Sequence, residues 1–203
     1  MYLSTLLMAT LVQCANYPPA IPLAVRSPYL STWSVGSLPL NEQNPFFWDG
    51  PSLDWTGLIR IDGKTYSWLG HSPTSSSISK ARQSNVSITA TRSIFSFEAG
   101  PIDLKVTFLS PVEPKDLIRQ SLPFSYLNVD FNTTDAKEHE VQVYAAVGFD
   151  WLSGDRDKKA SSTLCNTTSN VLGLCASLLH QELFHEVNEQ IEREFSLTNP
   201  IQI

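Results

Sequence analysis

Asp49 and Asp54 lie among Phe47, Trp48 and Trp55, while Asp150, Asp155 and Asp157 follow the end of a strand-like run. Carboxylates in an aromatic setting suggest glycoside hydrolysis, in which one acid protonates the leaving oxygen and a second acts as base or nucleophile. Spacing alone brings no two of these together, and acidic residues in loops commonly cap turns. His71, His139, His180 and His185 could serve a serine nucleophile, but no G-x-S-x-G elbow accompanies them. His139, in a loop, and His180, with Glu186 near a helix-like face, read as surface residues. Asp155-x-Asp157 lacks the glycine and closing glutamate of a calcium loop. The histidines are scattered without zinc-ligand spacing, and no glycine-rich phosphate loop is present. The expectation is a chain with no self-sufficient active site and no cofactor.

Other residue types offer recognition or covalent chemistry. Trp48, Trp55 and Trp68 could form a sugar-stacking platform or an interface, although large aromatics more often pack a core. Asn85-Val-Ser, Asn132-Thr-Thr and Asn166-Thr-Thr are N-glycosylation sequons, and Asn132 falls in an expected hairpin loop. Cys165 and Cys175 remain as an even pair if Cys14 leaves with a signal peptide. A bond between them would close a short loop, stabilising by roughly 2–3 kcal/mol in the chain-entropy account.

The elements that must carry these residues are mostly strands. From Ser93 to Phe131 the chain reads as three consecutive strands. Ile102, Leu104, Val106 and Phe108 alternate with Asp103, Lys105 and Thr107, and Gly100-Pro101 separates this run from Ile94, Phe95 and Phe97. Leu58, Ile59 and Ile61 lead into Asp62-Gly63, the strongest hairpin signal, and Thr65 to Trp68 return. His71–Ser79 is a serine-rich loop, and Val86, Ile88 and Ala90 begin the next strand. Tyr126–Phe131 and Glu140–Phe149 flank the Asn132–His139 loop and read as a further antiparallel pair, with Val141, Val143, Ala145 and Val147 on one face. Asp155–Asn170 reads as a loop. From Ala176 to Phe195, the recurrence of Leu179, Leu183, Val187, Ile191 and Phe195 predicts an amphipathic helix.

At 203 residues the chain has room for one good core, and its 13 prolines suit a loop-rich β domain. The expected fold is all-β, an antiparallel β-sandwich with long loops and one C-terminal amphipathic helix. Fourteen basic against 20 acidic residues give a net charge of −6, which removes the electrostatic footprint for nucleic acid or an anionic membrane. Leu3–Val12 is apolar and too short to span a bilayer; with Cys14-Ala15 it reads as a signal peptide over residues 1–15, the alternative being a buried strand. Together with the sequons it predicts an extracellular protein.

The run Pro19–Trp33, PAIPLAVRSPYLSTW, followed by Phe47-Trp48 and Gly57–Gly70, GLIRIDGKTYSWLG, resembles the N-terminal region of the secreted fungal glutaminase A family. Thr91–Phe97, Ala99–Leu104, Phe108–Pro114, Leu117–Leu127, Val141–Tyr144 and Ser153–Asp155 continue the similarity, which is dense from Pro18 to Asp155. The resemblance implies an N-terminal sandwich domain over residues 16–155, followed by a divergent segment over 156–203. It also implies, in cis, a catalytic helical toroid like those of six-hairpin glycosidases, where the amidase chemistry would sit. Such enzymes hydrolyse L-glutamine to L-glutamate and ammonia. This chain is expected to stop before that toroid and to act as a scaffold without activity of its own. The alternative is a secreted carbohydrate-binding or interaction module.

Overall fold

The computed structural model describes residues 18–48, 50–71, 77–165 and 171–200. The signal-peptide segment 1–15, Cys14, Asp49 and Asn166 therefore lie outside the described residues. Strands β1 (Ala20–Ser27), β2 (Leu30–Val35) and β3 (Phe46–Phe47) form an antiparallel sheet in that order. β4 (Trp55–Ile61), β5 (Lys64–Leu69) and the short β6 (Ile78–Lys80) begin a second sheet, with β6 parallel to β5. β7 (Arg82–Ile88), β8 (Arg92–Ala99) and β9 (Ile102–Leu109) run as an antiparallel meander. After the helical turn α1 (Leu117–Ser121), β10 (Tyr126–Thr133) completes the third sheet in the order β10-β9-β8-β7.

β11 (Val141–Val147) then returns to the second sheet, giving the order β11-β4-β5-β6. A 3₁₀ turn (Phe149–Trp151) leads into the C-terminal part. There β12 (Ala160–Cys165) and β13 (Val171–Leu178) pair, β14 (Glu186–Val187) and β15 (Gln190–Ile191) form a small hairpin, and β16 (Phe195–Pro200) joins β13.

The expected sandwich is present, and its cause is the alternation already visible in the chain. On β8, Ser93, Phe95, Phe97 and Ala99 face inward; on β9, Ile102, Leu104, Val106 and Phe108 do so, with Asp103 and Lys105 outward. Ile59 and Ile61 of β4 and Trp68 and Leu69 of β5 supply the facing layer, and Ile21, Leu23 and Leu30 of the first sheet close the same core. Asp62 (φ 48) and Gly63 (φ 83) make the two-residue turn between β4 and β5, both left-handed as a type I′ turn demands. Within that hairpin Trp68 lies flat against the backbone of Gly57: a Cβ there would meet the indole ring at 2.5 Å. Buried Asn41 fastens the edge of this sheet, its amide donating to the carbonyls of Ser67 (2.8 Å) and Ala81 (2.9 Å).

Four expectations are corrected. β10 and β11 do not pair with each other: β10 pairs with β9, and β11 with β4. Alternation identifies the buried face of a strand but not its neighbour, and the intervening segment crosses from one sheet to the other. The Asp155–Asn170 loop contains β12, and the His71–Ser79 loop ends in β6. No helix occupies residues 176–195. Phe184, Asn188 and Glu189 take left-handed φ values of 60, 50 and 61, which end any helix, and Leu183 and Phe184 are fully open to solvent. The four-residue recurrence there is not a buried face, because Glu192 and Gln190 are the residues that turn inward.

Gly57→Ala is expected to destabilise the chain by about 1–3 kcal/mol through overpacking against Trp68, read as a lowered urea midpoint at unchanged slope.

Candidate functional site

The pairing Val147↔Trp55 sets the flanking residues Gly148 and Asp54 side by side, and Gly148 N–H donates to Asp54 O at 2.8 Å. This brings together two of the five carboxylates singled out above. Asp150 Oδ2 accepts from the Asp54 N–H at 2.6 Å, and Trp151 Nε1–H donates to Asp54 O at 3.1 Å. Burial raises the Asp150 pKa, opposed by the Asp54 N–H bond and the Arg156 charge and assisted by the Asp54 charge. A carboxyl with elevated proton affinity beside a second carboxyl is the pattern of an acid/base pair. Here, however, Asp150 is bonded to backbone, and Arg156 is engaged by the Asp150 and Ser153 carbonyls. Asp155 accepts from the Asp157 N–H at 3.0 Å, an Asx turn. The corner closes the end of the β4–β11 ladder, with the Asp150 carboxylate given to main chain and Asp54 Oδ1 accepting from the Thr56 hydroxyl at 3.4 Å.

The three tryptophans do not share a surface. Trp68 is fully buried and Trp55 is 6 % exposed, so neither indole can stack a ligand; this corrects the idea of a three-ring platform. Trp48 differs, being 54 % exposed, and its Nε1–H donates to Glu189 Oε2 at 2.9 Å. The β14–β15 hairpin carries Glu189 across 141 residues of sequence to this indole. Phe47, Trp48, Gly50, Pro51, Asn188 and Glu189 line an open cleft of about 250 Å³.

Two ionic clusters escaped the sequence reading. His139 lies at the surface with its ring largely covered: the side chain is 9 % exposed, with Nδ1 2.6 Å from Asp62 Oδ2 and Nε2 2.9 Å from Asp135 Oδ1. Both ring nitrogens thus face acceptors, which suits the imidazolium. The bonds to Asp135 and Asp62 raise the His139 pKa, and the bond from His139 lowers that of each aspartate. Asp62 also accepts the Glu140 N–H at 3.0 Å and donates its own N–H to Glu140 O at 3.0 Å. In the second cluster the fully buried Glu192 carboxylate bonds Lys158 Nζ, His185 Nδ1 (2.5 Å) and the Glu182 N–H (2.7 Å). Lys158 foremost holds the Glu192 pKa down to about 2. The His139 cluster is no nucleophile relay, since both of its ring nitrogens are taken by carboxylates. Asp62-Gly63 was legible as a turn, but nothing in the sequence pointed it at His139.

The remaining candidates are placed as follows. Cys165 and Cys175 are joined by a disulfide across the β12–β13 hairpin, Cα atoms 5.5 Å apart. Asn85 is exposed on β7 and Asn132 on β10, one on each edge strand of the same sheet. His71 is exposed, its N–H donating to Asn44 Oδ1, and His180 is exposed after β13.

A family described as a domain of unknown function, DUF5127, matches residues 91–193, half of the chain; a second, DUF4964, matches residues 3–76. The chain is 43% identical over 182 residues to a protein named glutaminase A from Aspergillus oryzae, an alignment covering 86% of this chain and 26% of that protein. It is 26% identical over 216 residues to a protein named probable glutaminase from Arthroderma benhamiae, covering 95% of this chain and 24% of that protein. The chain spans about a quarter of the length of these curated relatives. No solved structure matches it.

The His139 clamp has a defined pH window. Raised above 6.5, the His139 pKa gives stability that is complete below pH 6.5 and is lost as pH rises through the folded value. Lowered below 3.8, those of Asp62 and Asp135 give stability that is complete above pH 3.8 and is lost as pH falls through theirs. The stability lost in His139→Asn should therefore be greatest between these limits and shrink at alkaline pH, measured by urea unfolding across a pH series.

Proposed function

The chain belongs to the DUF5127 family of domains of unknown function, and from that premise we propose that it is the non-catalytic N-terminal scaffold of a secreted glutaminase A-like protein. Its relationship to proteins named glutaminase A and probable glutaminase supplies the reaction: hydrolysis of L-glutamine to L-glutamate and ammonia. In this reading a further domain in cis, a helical toroid, carries that chemistry and rests on the sandwich. Relatives about four times longer than this chain leave room for such a domain.

The observation that carries the reading is an apolar face that the sandwich itself does not cover. From the end of β9 to the first residue of β10, Val112, Leu117, Ile118, Phe124 and Tyr126 are all more than half exposed, Leu117 and Ile118 at 79 % each. A single exposed leucine is ordinary, whereas a run of large side chains held outward by a pinned backbone marks an interaction surface. The pinning is specific. Arg26 Nη2 donates to Gln120 O (2.5 Å), the Glu113 N–H donates to Gln120 Oε1 (2.8 Å), and Asp116 caps α1 through the Arg119 N–H (3.0 Å). Covering one such side chain is worth about 1.5–3 kcal/mol, ample reason for a neighbouring domain to settle there.

Secretion belongs to the same reading. It is supported by the signal-like residues 1–15, by the Cys165–Cys175 bond, which suits an oxidising compartment, and by exposed sequons at Asn85 and Asn132.

The purified chain is expected to release no more ammonia from L-glutamine than a boiled control; clear turnover would sink the non-catalytic reading. Grafted in place of the matching segment of the Aspergillus oryzae enzyme, Leu117→Asp with Ile118→Asp should lower the melting temperature of the chimera while leaving the isolated chain unchanged. A chimera as stable as its parent would remove the docking face. Expressed through a fungal secretory pathway, the protein should lose one glycan's mass with each of Asn85→Gln and Asn132→Gln by intact mass spectrometry.

A further inference from the structure

We propose that the cleft between Trp48 and Glu189 is a binding subsite for a single hexopyranose ring, such as the end of a glycan chain. The site is separate from the docking face and stands without it. Its aromatic wall is fixed by the strand before it. Phe47 of β3 is buried and paired with Thr32 of β2, so the next side chain, Trp48, turns outward, while the Trp48 backbone N–H donates to Ser31 O at 3.0 Å. The acidic wall comes from the opposite end of the chain. Asn188 and Glu189 form the two-residue turn of the β14–β15 hairpin with φ values of 50 and 61. That conformation suits asparagine or glycine and is uncommon for glutamate, so Glu189 holds its place against local preference.

Three contacts hold the hairpin in position. Asn188 Nδ2–H donates to Gly154 O at 3.3 Å, Tyr29 O–H donates to Glu186 Oε2 at 3.2 Å, and Val187 O sits where a Cβ on Gly154 would be, 1.8 Å away. The indole N–H bond to Glu189 Oε2 then sets the angle between ring and carboxylate. An exposed bond of that kind contributes little to folding, so it does not by itself account for the turn.

The arrangement offers a flat apolar ring, more than half open to solvent, with a carboxylate fixed at its edge. A pyranose has the complementary form: C–H groups on one face that stack on an indole, and hydroxyls at the rim that donate to a carboxylate. The cleft of about 250 Å³ suits one ring rather than an extended chain. A lone ammonium ion would meet the same carboxylate and ring face but would leave most of the cleft's volume unfilled.

The test titrates the 203-residue chain with methyl glycosides of glucose, mannose and galactose, followed by saturation-transfer NMR and tryptophan fluorescence, with methylammonium chloride as a parallel arm. At least one glycoside should bind and perturb the fluorescence. Trp48→Ala should abolish the response, and Glu189→Gln should weaken binding about tenfold, the size of one charge-assisted hydrogen bond. Both positions are exposed, and circular dichroism of each variant is the control for folding. The proposal fails if no glycoside transfers saturation, if binding survives Trp48→Ala, or if methylammonium alone reproduces the response.

Discussion

The burial of Trp55 between two other aromatic rings is the contact on which the rest of the molecule depends. Its indole meets Phe108 edge-on at 5.2 Å and Trp151 edge-on at 5.2 Å, and Phe108 meets Phe95 in the same manner at 5.8 Å. One side chain on β4 thus joins the two facing sheets to the turn that leaves β11. Such pairs add about 0.5–1.5 kcal/mol each beyond their area. The tie continues to the C-terminal part, because Arg193 donates its N–H to Leu152 O and its Nε–H to Trp151 O, at 2.9 and 2.7 Å. Burial lowers the Arg193 pKa to about 10, still well above neutrality, so a cation is held against the same tryptophan.

The crossing of the chain from one sheet to the other is controlled by polar contacts. At one edge Ala81 alone separates β6 from β7, and its N–H bonds Ser67 O. At the other, the Asp62 turn captures His139 and Glu140 and delivers β11 to β4 in register, with Val141 opposite Ile61. The same aspartate that makes the hairpin turn therefore also specifies the neighbouring strand. This economy explains why a turn residue sits in an ionic cluster whose histidine is nearly closed to water.

For function, the fate of the carboxylates matters most. Asp150 is bonded to backbone at the end of the β4–β11 ladder, Asp155 caps its own turn, Asp54 meets the Thr56 hydroxyl, and Glu192 is enclosed by Lys158 and His185. What remains available is surface: an apolar face around α1 and an indole with an acid at its rim. In the scaffold reading proposed above both have a use, one to hold a neighbour and the other to help locate the protein.

The strands were legible because one-sided burial imposes a period of two, and residues 93–99, 102–109 and 55–61 keep that period. Asp62-Gly63 named its own turn, since only a few residue types accept two left-handed positions in succession. Pairing partners were not legible. β10 and β11 each present the right alternation for a hairpin, but long-range contacts at Asp62 decide otherwise. The helix expected over 176–195 failed for a related reason: a four-residue recurrence states where apolar side chains fall, not whether anything covers them. Sequence alone thus determined the fold class, the central meander and the kinship, all of which rest on local patterns. Tertiary structure decided which sheet each strand joined, which tryptophan stayed exposed, and which acid stood beside it, because those outcomes depend on residues distant in sequence meeting in space, His139 with Asp62 across 77 positions and Glu189 with Trp48 across 141.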